Sequence, residues 1–446
     1  MSNTQNELVN DPKSARHVFW ASYFGWLLDG YDTTIYAFVL LASLAVFLPG
    51  ASLTEKTTYG LAYFAIFLVG WGTAFIFGPI SDKYGRMKAL GIAILLYAVG
   101  TFGSGLSFNI YEFGVARFVA GFGLGAEWFI GGTGVAEVFP EKDRQIWAGR
   151  FHSAWYAGFM VAAATTPFIL YLLPATYNWR VVFFIGIIPA VILAYIRISA
   201  TEPKVWLEKK ARFGQKMNIT LSLRTIFSKQ LRTKTILLIL VMVPVVTGLY
   251  GGTLFAPTAI SNLVHATASL KTASTLTVQL YQAAGGIIIS GFTLTFCLLM
   301  PFMVRRIGRK ATLAVFMSFM IVGLVVAFGI IYPTNNLYGF LAAVFLLGIG
   351  GADFSVFTLW VPEEYPTEAR AGGFGMITTL GRYAGAGLVF VFAFLNARIG
   401  LGHSLAYGAV AFAIGLVLLI FVKENRNAVL DRTVDVLPAA EGIGGK

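Results

Sequence analysis

The chain has 446 residues, 57% hydrophobic and 12% charged, with a formal net charge of +12. A soluble domain carries about 25% charged residues, so that class is excluded and hydrocarbon is the expected solvent. The single cysteine, Cys297, sits in an apolar run; it excludes a disulfide framework and reads as a packing residue.

Residues 1–18 are polar and lack the apolar core of a cleavable signal, so the first span reads as a retained helix. Twelve apolar stretches of spanning length follow, at 19–46, 58–80, 89–108, 112–137, 148–173, 180–199, 235–257, 278–301, 311–332, 337–361, 372–396 and 402–422. The longest polar stretch follows span six. In it Trp206, Leu207, Phe213, Leu221, Leu223, Ile226 and Phe227 alternate with Lys and Arg, which predicts short amphipathic helices resting on anionic headgroups. The expected organisation is an N-tail at 1–18, a six-helix bundle at 19–199, a central loop at 200–234, a second bundle at 235–422 and a C-tail at 423–446.

Threaded with the N-terminus inside, cytoplasmic segments hold 27 of the 33 Lys and Arg, counting the ten at 197–234, the first of them Arg197 at the inner end of span six. External loops hold four, and Arg117 and Arg382 fall inside spans. This is the positive-inside bias. It assigns the positive charge to topology and implies no nucleic-acid partner, both termini cytoplasmic and an inner-membrane location.

The two halves repeat. GPISDKYGRMK at 78–88 recurs as PFMVRRIGRK at 301–310, offset by 223. GLGAEWFIGGTGVAEVFPEKDR and GIGGADFSVFTLWVPEEYPTEAR align at an offset of 226, pairing Glu127 with Asp353, Glu137 with Glu363, Pro140 with Pro366 and Arg144 with Arg370. A duplicated six-helix unit is the signature of an alternating-access carrier with its solute site between the halves.

Gly78, Asp82, Lys83, Gly85, Arg86 and Lys88 match a signature loop, and Arg117, Gly121 and Gly123 a span-four motif, so the chain resembles the major facilitator superfamily over about residues 17–425. In the second copy of the loop Pro301 replaces the Gly and Arg305 the Asp, while Gly308, Arg309 and Lys310 remain. The resemblance implies an all-α membrane fold of two pseudo-symmetric six-helix bundles. The span-one Asp-Gly-x-Asp at Asp29 and Asp32 is similar to aromatic acid/proton symporters. GLGAEW and the Pro-Glu-x-x-Pro-Thr-x-x-Arg pattern look like sialate and other organic-acid/proton symporters.

Asp29, Asp32, Arg117, Glu127, Asp353 and Arg382 fall well inside spans. Each costs about 3 kcal/mol near a helix centre if it faces lipid, roughly 18 kcal/mol for the set, so they line a cavity or pair. Sheltered carboxylates suit proton loading, and the guanidinium fork suits a solute carboxylate. Asp29, Asp32, Glu127, Asp353 and Arg117 are therefore the proton-coupling candidates. Asp29 and Asp32, three apart on one helix, face the same way and cannot both be comfortably ionised. Asn at either is expected to abolish uphill uptake while sparing membrane insertion. Arg382 is the preferred anchor for a substrate carboxylate, with pairing to Asp353 as the structural alternative. Tyr31, Trp155, Tyr156 and Phe354, with Trp26, are candidate pocket walls, and His152 reads as a packing histidine.

By the resemblance, Arg86, Glu137 and Arg144 in the first half and Arg309, Glu363 and Arg370 in the second form near-surface charge clusters. These tie the halves shut on the cytoplasmic side when the site faces outward. Asp82 is expected near the N-terminus of span eleven, where the helix dipole favours an acid.

The reading is a proton-coupled symporter importing a small organic anion, an aromatic or hydroxy carboxylate or sialate, and working as a monomer in a lipid bilayer. It is not an enzyme, and the sequence shows no cofactor or metal motif. A sugar or polyol symporter is the first alternative, although VPVVTGLYGGTLFAP in span seven lacks the paired glutamines expected there. An efflux antiporter would carry a Gly-Pro-Gly pattern in span five, and a membrane sensor a long cytoplasmic extension. Neither is present.

Overall fold

A computed structural model describes residues 12–198, 202, 204–213, 219–366 and 369–424. Tail residues 1–11 and 425–446 lie outside it. The described residues contain no strand. Twelve rods account for the fold: α1 (Pro12–Phe47), α2 (Thr54–Tyr84), α3 (Arg86–Leu106), α4 (Ile110–Val138), α5 (Glu141–Leu172), α6 (Asn178–Ile185 continued by Ile187–Ile198), α7 (Arg232–Ala266), α8 (Thr275–Ile307), α9 (Arg309–Thr334), α10 (Leu337–Glu364), α11 (Arg370–Ile399) and α12 (Leu401–Phe421). Ten are long and apolar enough to cross a membrane by length and composition alone. The other two, α1 and the two-piece α6, complete the count.

The helices overrun the apolar stretches because polar ends stay helical where they pack. α1 begins at Pro12, seven residues before the expected span, with Ala15, Val18 and Phe19 buried. Its 36 residues rise about 54 Å, well beyond a hydrocarbon core of about 30 Å.

Within the first bundle α1 lies along α5, and α3 lies between α4 and α6; in the second, α7 lies along α11 and α12, and α9 along α10 and α12. The bundles meet where α5 lies along α8 and where α2 lies along α11. Small residues set the closest approach. An ideal Cβ on Gly30 of α1 would stand 1.9 Å from the Trp155 carbonyl oxygen, and one on Gly158 of α5 1.9 Å from the Leu27 carbonyl oxygen. Gly158→Ala is therefore expected to destabilise the protein by roughly 1–3 kcal/mol through overpacking. Gly291→Ala, whose Cβ meets nothing within 4 Å, should not; thermal unfolding of the detergent-solubilised variants checks the pair.

The turns at the arginine-rich end, between α2 and α3 and between α8 and α9, each pivot on a glycine of positive φ, Gly85 at 122° and Gly308 at 89°. A side chain would strain either. In α7 the regular helix gives way to wider turns over Gly248–Thr253, between Pro244 and Pro257.

Candidate functional site

A tight cavity of about 10 Å³, room for one water, lies between the bundles. Trp26, Trp71, Trp128, His152, Trp155 and Tyr156 line it from the first bundle, and Leu249, Tyr250, Phe354 and Arg382 from the second. Trp128 lies against Phe354 with ring centroids 5.2 Å apart and stacks with Trp26 at 5.9 Å. Trp155, Tyr156 and Phe354 are thus in the wall. Tyr31 is not: it faces α5 and α6 near Thr165 and Gly186, because it sits more than a turn beyond Trp26.

Arg382 rises from α11 into this box and is 2% exposed. Its guanidinium lies 4.4 Å from the Trp71 ring centroid and 5.1 Å from that of Trp128, and Nη1 donates to the Thr378 carbonyl at 3.0 Å. It does not pair with Asp353, whose Oδ1 accepts from the Phe354 amide at 2.8 Å and whose Oδ2 has no hydrogen bond among the described residues. Arg382 Nε, Trp26 Nε1 and Trp71 Nε1 also have no acceptor there, although the Tyr250 hydroxyl stands beside the guanidinium. A donor buried without a partner costs roughly 1–3 kcal/mol, and no carboxylate or carboxamide lines the cavity. The wall is a surplus of donors around aromatic faces.

Polar links cross the cavity floor. Thr358 Oγ1 accepts from Trp128 Nε1 at 2.7 Å and lies 3.0 Å from His152 Nδ1, while Tyr156 donates to the Gly351 carbonyl at 2.8 Å. His152, read as a packing histidine, thus stands in the wall and in an inter-bundle hydrogen bond.

The two acids of α1 do not share one environment. Asp32 meets Arg117 Nη2 at 3.5 Å and accepts from Thr101 Oγ1 at 2.8 Å; Arg117 also donates to Ser104 at 2.9 Å. Asp29 is fully buried and neither oxygen has a hydrogen-bond partner among the described residues. The expected like-charge pair is thus split, because α3 and α4 supply a cation and a hydroxyl to Asp32 alone. Glu127 pairs with Arg197 of α6, which also donates to the Ala21 carbonyl at 2.6 Å. Arg197, counted by sequence with the cytoplasmic charge, is instead wholly buried, because its partners Glu127 and the Ala21 carbonyl lie inside the bundle.

At the arginine-rich end the clusters are built twice. Glu137 accepts from Arg86 at 3.1 Å within its own bundle and from Arg370 of the other at 3.2 Å. Glu363 accepts from Arg309 at 2.6 Å in its own bundle and lies 3.8 Å from Arg144 of the other. Arg144 also donates to the Ala136 carbonyl and Arg370 to that of Pro362, at 3.2 and 3.1 Å. Asp82 pairs with Arg86 at 2.6 Å and accepts from the Gly372 amide, in the first turn of α11, at 3.3 Å. These charges were expected near the surface; instead Arg86, Glu137, Arg144, Arg309 and Arg370 are buried, because the two bundles close over them.

Outside the spans, Glu202 accepts the amides of Arg86, Met87 and Lys88 at 2.6, 3.1 and 3.2 Å, and Glu424 that of Arg309 at 2.7 Å. Each acid caps the start of the third helix of its bundle. Burial pushes the Glu202 carboxyl above its ordinary range, against the pull of those amides. The connecting helices Lys204–Phe213 and Ile219–Ile226 do not simply rest on headgroups. Trp206 is buried and donates to the Asp82 carbonyl at 2.8 Å, and Ile226 is buried as well.

Sequence reasoning missed Trp71, Trp128, Tyr250 and Arg197. Trp128 was within reach, since at the 226 offset it is the repeat partner of Phe354.

The Major Facilitator Superfamily profile matches residues 23–389. A probable 4-methylmuconolactone transporter of Cupriavidus pinatubonensis is 26% identical, covering 93% of this chain and 92% of that protein. A sialic acid transporter of Escherichia coli is 27% identical, covering 92% and 94%. Among solved structures, the proton:xylose symporter XylE aligns with a TM-score of 0.74 at 19% identity, covering 93% of this chain and 97% of that one; this likeness speaks to fold.

Proposed function

Since the chain belongs to the Major Facilitator Superfamily, we propose that this membrane transporter imports a small organic anion together with protons by alternating access. The observation that carries the reading is the donor surplus around one buried cation: Arg382 with a free Nε, and indole N–H groups without acceptors, in a cavity with no acid. Such a wall is completed by a carboxylate. A polyol would need acceptors for its hydroxyls, and no carboxamide or carboxylate in the wall supplies them. The relatives' names, a muconolactone and a sialic acid transporter, support the same class.

Protons are assigned to the buried acids beside the cavity. Asp29 and Asp353 have oxygens without partners among the described residues, which makes them the candidates to carry the proton. Asp32 and Glu127 are matched by Arg117 and Arg197. On this reading the arginine-rich end is cytoplasmic and both termini lie on that side of the inner membrane. The crossed Glu137–Arg370 and Glu363–Arg144 pairs hold that side closed. The protein acts as a monomer, the cavity being built within one chain.

The test is uptake by proteoliposomes under an imposed pH gradient, screened over benzoates, hydroxy acids, sialate and hexoses. Accumulation of a carboxylate that collapses with the gradient is expected; uptake indifferent to the gradient, or confined to hexoses, overturns the reading. A second prediction concerns closure. Replacing Glu137 and Glu363 together by Gln removes both crossed pairs, and breaking buried pairs costs roughly 3–5 kcal/mol each. In a Cys297→Ser background, a cysteine in place of Leu249 should then react faster with a thiol reagent from the cytoplasmic side.

A further inference from the structure

The face of α1 that carries Asp29 runs Ala21, Gly25, Asp29, one residue per turn. Each meets the buried Glu127–Arg197 pair differently. The Ala21 carbonyl accepts from Arg197 Nη2 at 2.6 Å and from Nε at 3.2 Å. An ideal Cβ on Gly25 would stand 1.9 Å from Arg197 Nη2 and 2.5 Å from Glu127 Oε2, so only glycine lets α1 close over the pair. One turn on, Asp29 is fully buried with both oxygens unpartnered, and Glu127 Oε2 is unpartnered too. The charged groups around Asp29 are Glu127 of α4, Arg197 of α6, Asp32 on its own helix and Arg382 of α11, with the phenol of Tyr97 on α3 beside them. The cluster therefore holds two carboxyls and one committed guanidinium. At the 226 offset Arg197 corresponds to Lys423, which is exposed, so among the described residues Asp353 lacks the equivalent cation.

We propose that Arg197 is a positioning residue for proton coupling: it neutralises Glu127, so that of the two adjacent acids only Asp29 takes and releases the proton. This rests on the proton-coupled reading above. The step is a simple exchange: an O–H bond forms on Asp29 with a proton from water on the open side and breaks to water on the other, with no redox partner. Glu127 stays ionised through the cycle because its cation travels with it inside one bundle. Without the guanidinium, two carboxyls with no counterion are cheapest with both protonated, and the cluster no longer releases a proton.

The experiment needs no substrate. The infrared band of protonated carboxyls is recorded in reconstituted protein across a pH titration for wild type, Asp29→Asn, Arg197→Gln, Arg197→Lys and Glu127→Gln/Arg197→Gln. Asp29→Asn should remove one carboxyl's intensity. Arg197→Gln should add one relative to wild type, and the addition should vanish in the double variant and in Arg197→Lys. An Arg197→Gln spectrum superimposable on wild type overturns the proposal, as does a gain that persists in the double variant. A purely structural pin would lower the yield of Arg197→Gln without creating a band that the second substitution removes. If the bands behave as stated while wild-type uptake ignores the pH gradient, the coupling reading fails. If uptake is proton-driven while the bands do not move, this inference alone fails.

Discussion

Arg382→Gln is expected to abolish saturable carboxylate binding while leaving the protein in the membrane and folded. The guanidinium is the sole charge in the cavity wall, and truncating one member of a buried charge pair costs about 2–5 kcal/mol, roughly thirty-fold to several thousand-fold in affinity. The substitution removes a desolvated charge that no acid balances closely, so the empty protein should not lose stability. Lysine should restore little. The planar group lies between the rings of Trp71 and Trp128, at 4.4 and 5.1 Å, and a point-charge ammonium on a flexible stem offers neither the stacking nor the fork. The surrounding tryptophans supply the readout, as quenching or enhancement of intrinsic fluorescence on titration with the transported carboxylate. Unchanged affinity in Arg382→Gln would move the anion site elsewhere.

Asp29→Asn and Asp32→Asn should fail in different ways, although the two acids are three residues apart on one helix. Among the described residues Asp29 has no hydrogen-bond partner. Its carboxamide replacement resembles the protonated acid, so folding and counterflow exchange should survive while accumulation against a gradient falls to unity. One coupled proton and a pH difference of one unit support about tenfold accumulation in the parent protein. Asp32 is the closest counter-charge of Arg117, at 3.5 Å. Its replacement leaves a guanidinium buried and uncompensated at roughly 3–5 kcal/mol, so lower yield and a lower unfolding midpoint should accompany loss of transport. The sequence alone predicts the same loss of uphill uptake for both; their separate environments add a stability difference. Similar stability of both variants, measured in detergent, would contradict the separate environments.

The sequence disclosed the twelve rods and the duplication because apolar length and a constant offset need no tertiary information. It also disclosed Arg382, Trp155, Tyr156 and Phe354 as wall residues, since charge and aromatics inside spans must be sheltered. What it could not disclose was partner choice. Asp29 and Asp32 are equivalent by spacing, and α3 and α4 decide between them by bringing Thr101 and Arg117 to one. Arg197 reads as one more basic residue at the inner end of span six, because its partner Glu127 lies 70 residues away in sequence. The depth of the gate charges was likewise hidden: burial of Arg86 or Arg370 depends on the opposing bundle, whose approach no local pattern encodes.

On the far side from the arginine-rich end, the seal over the cavity is aromatic: Phe64 of α2 meets Tyr250 and Phe255 of α7, with centroids 5.2 and 5.9 Å apart. Both α7 rings sit at or just past the widened stretch Gly248–Thr253, where the backbone ladder is already irregular. Flexing there disturbs fewer regular bonds than flexing an intact helix. On the alternating-access reading proposed above, Ala256–Ala266 would be a shutter hung on its own joint, swinging away from Phe64 to admit solute while the trunk Arg232–Thr247 stays packed in its bundle.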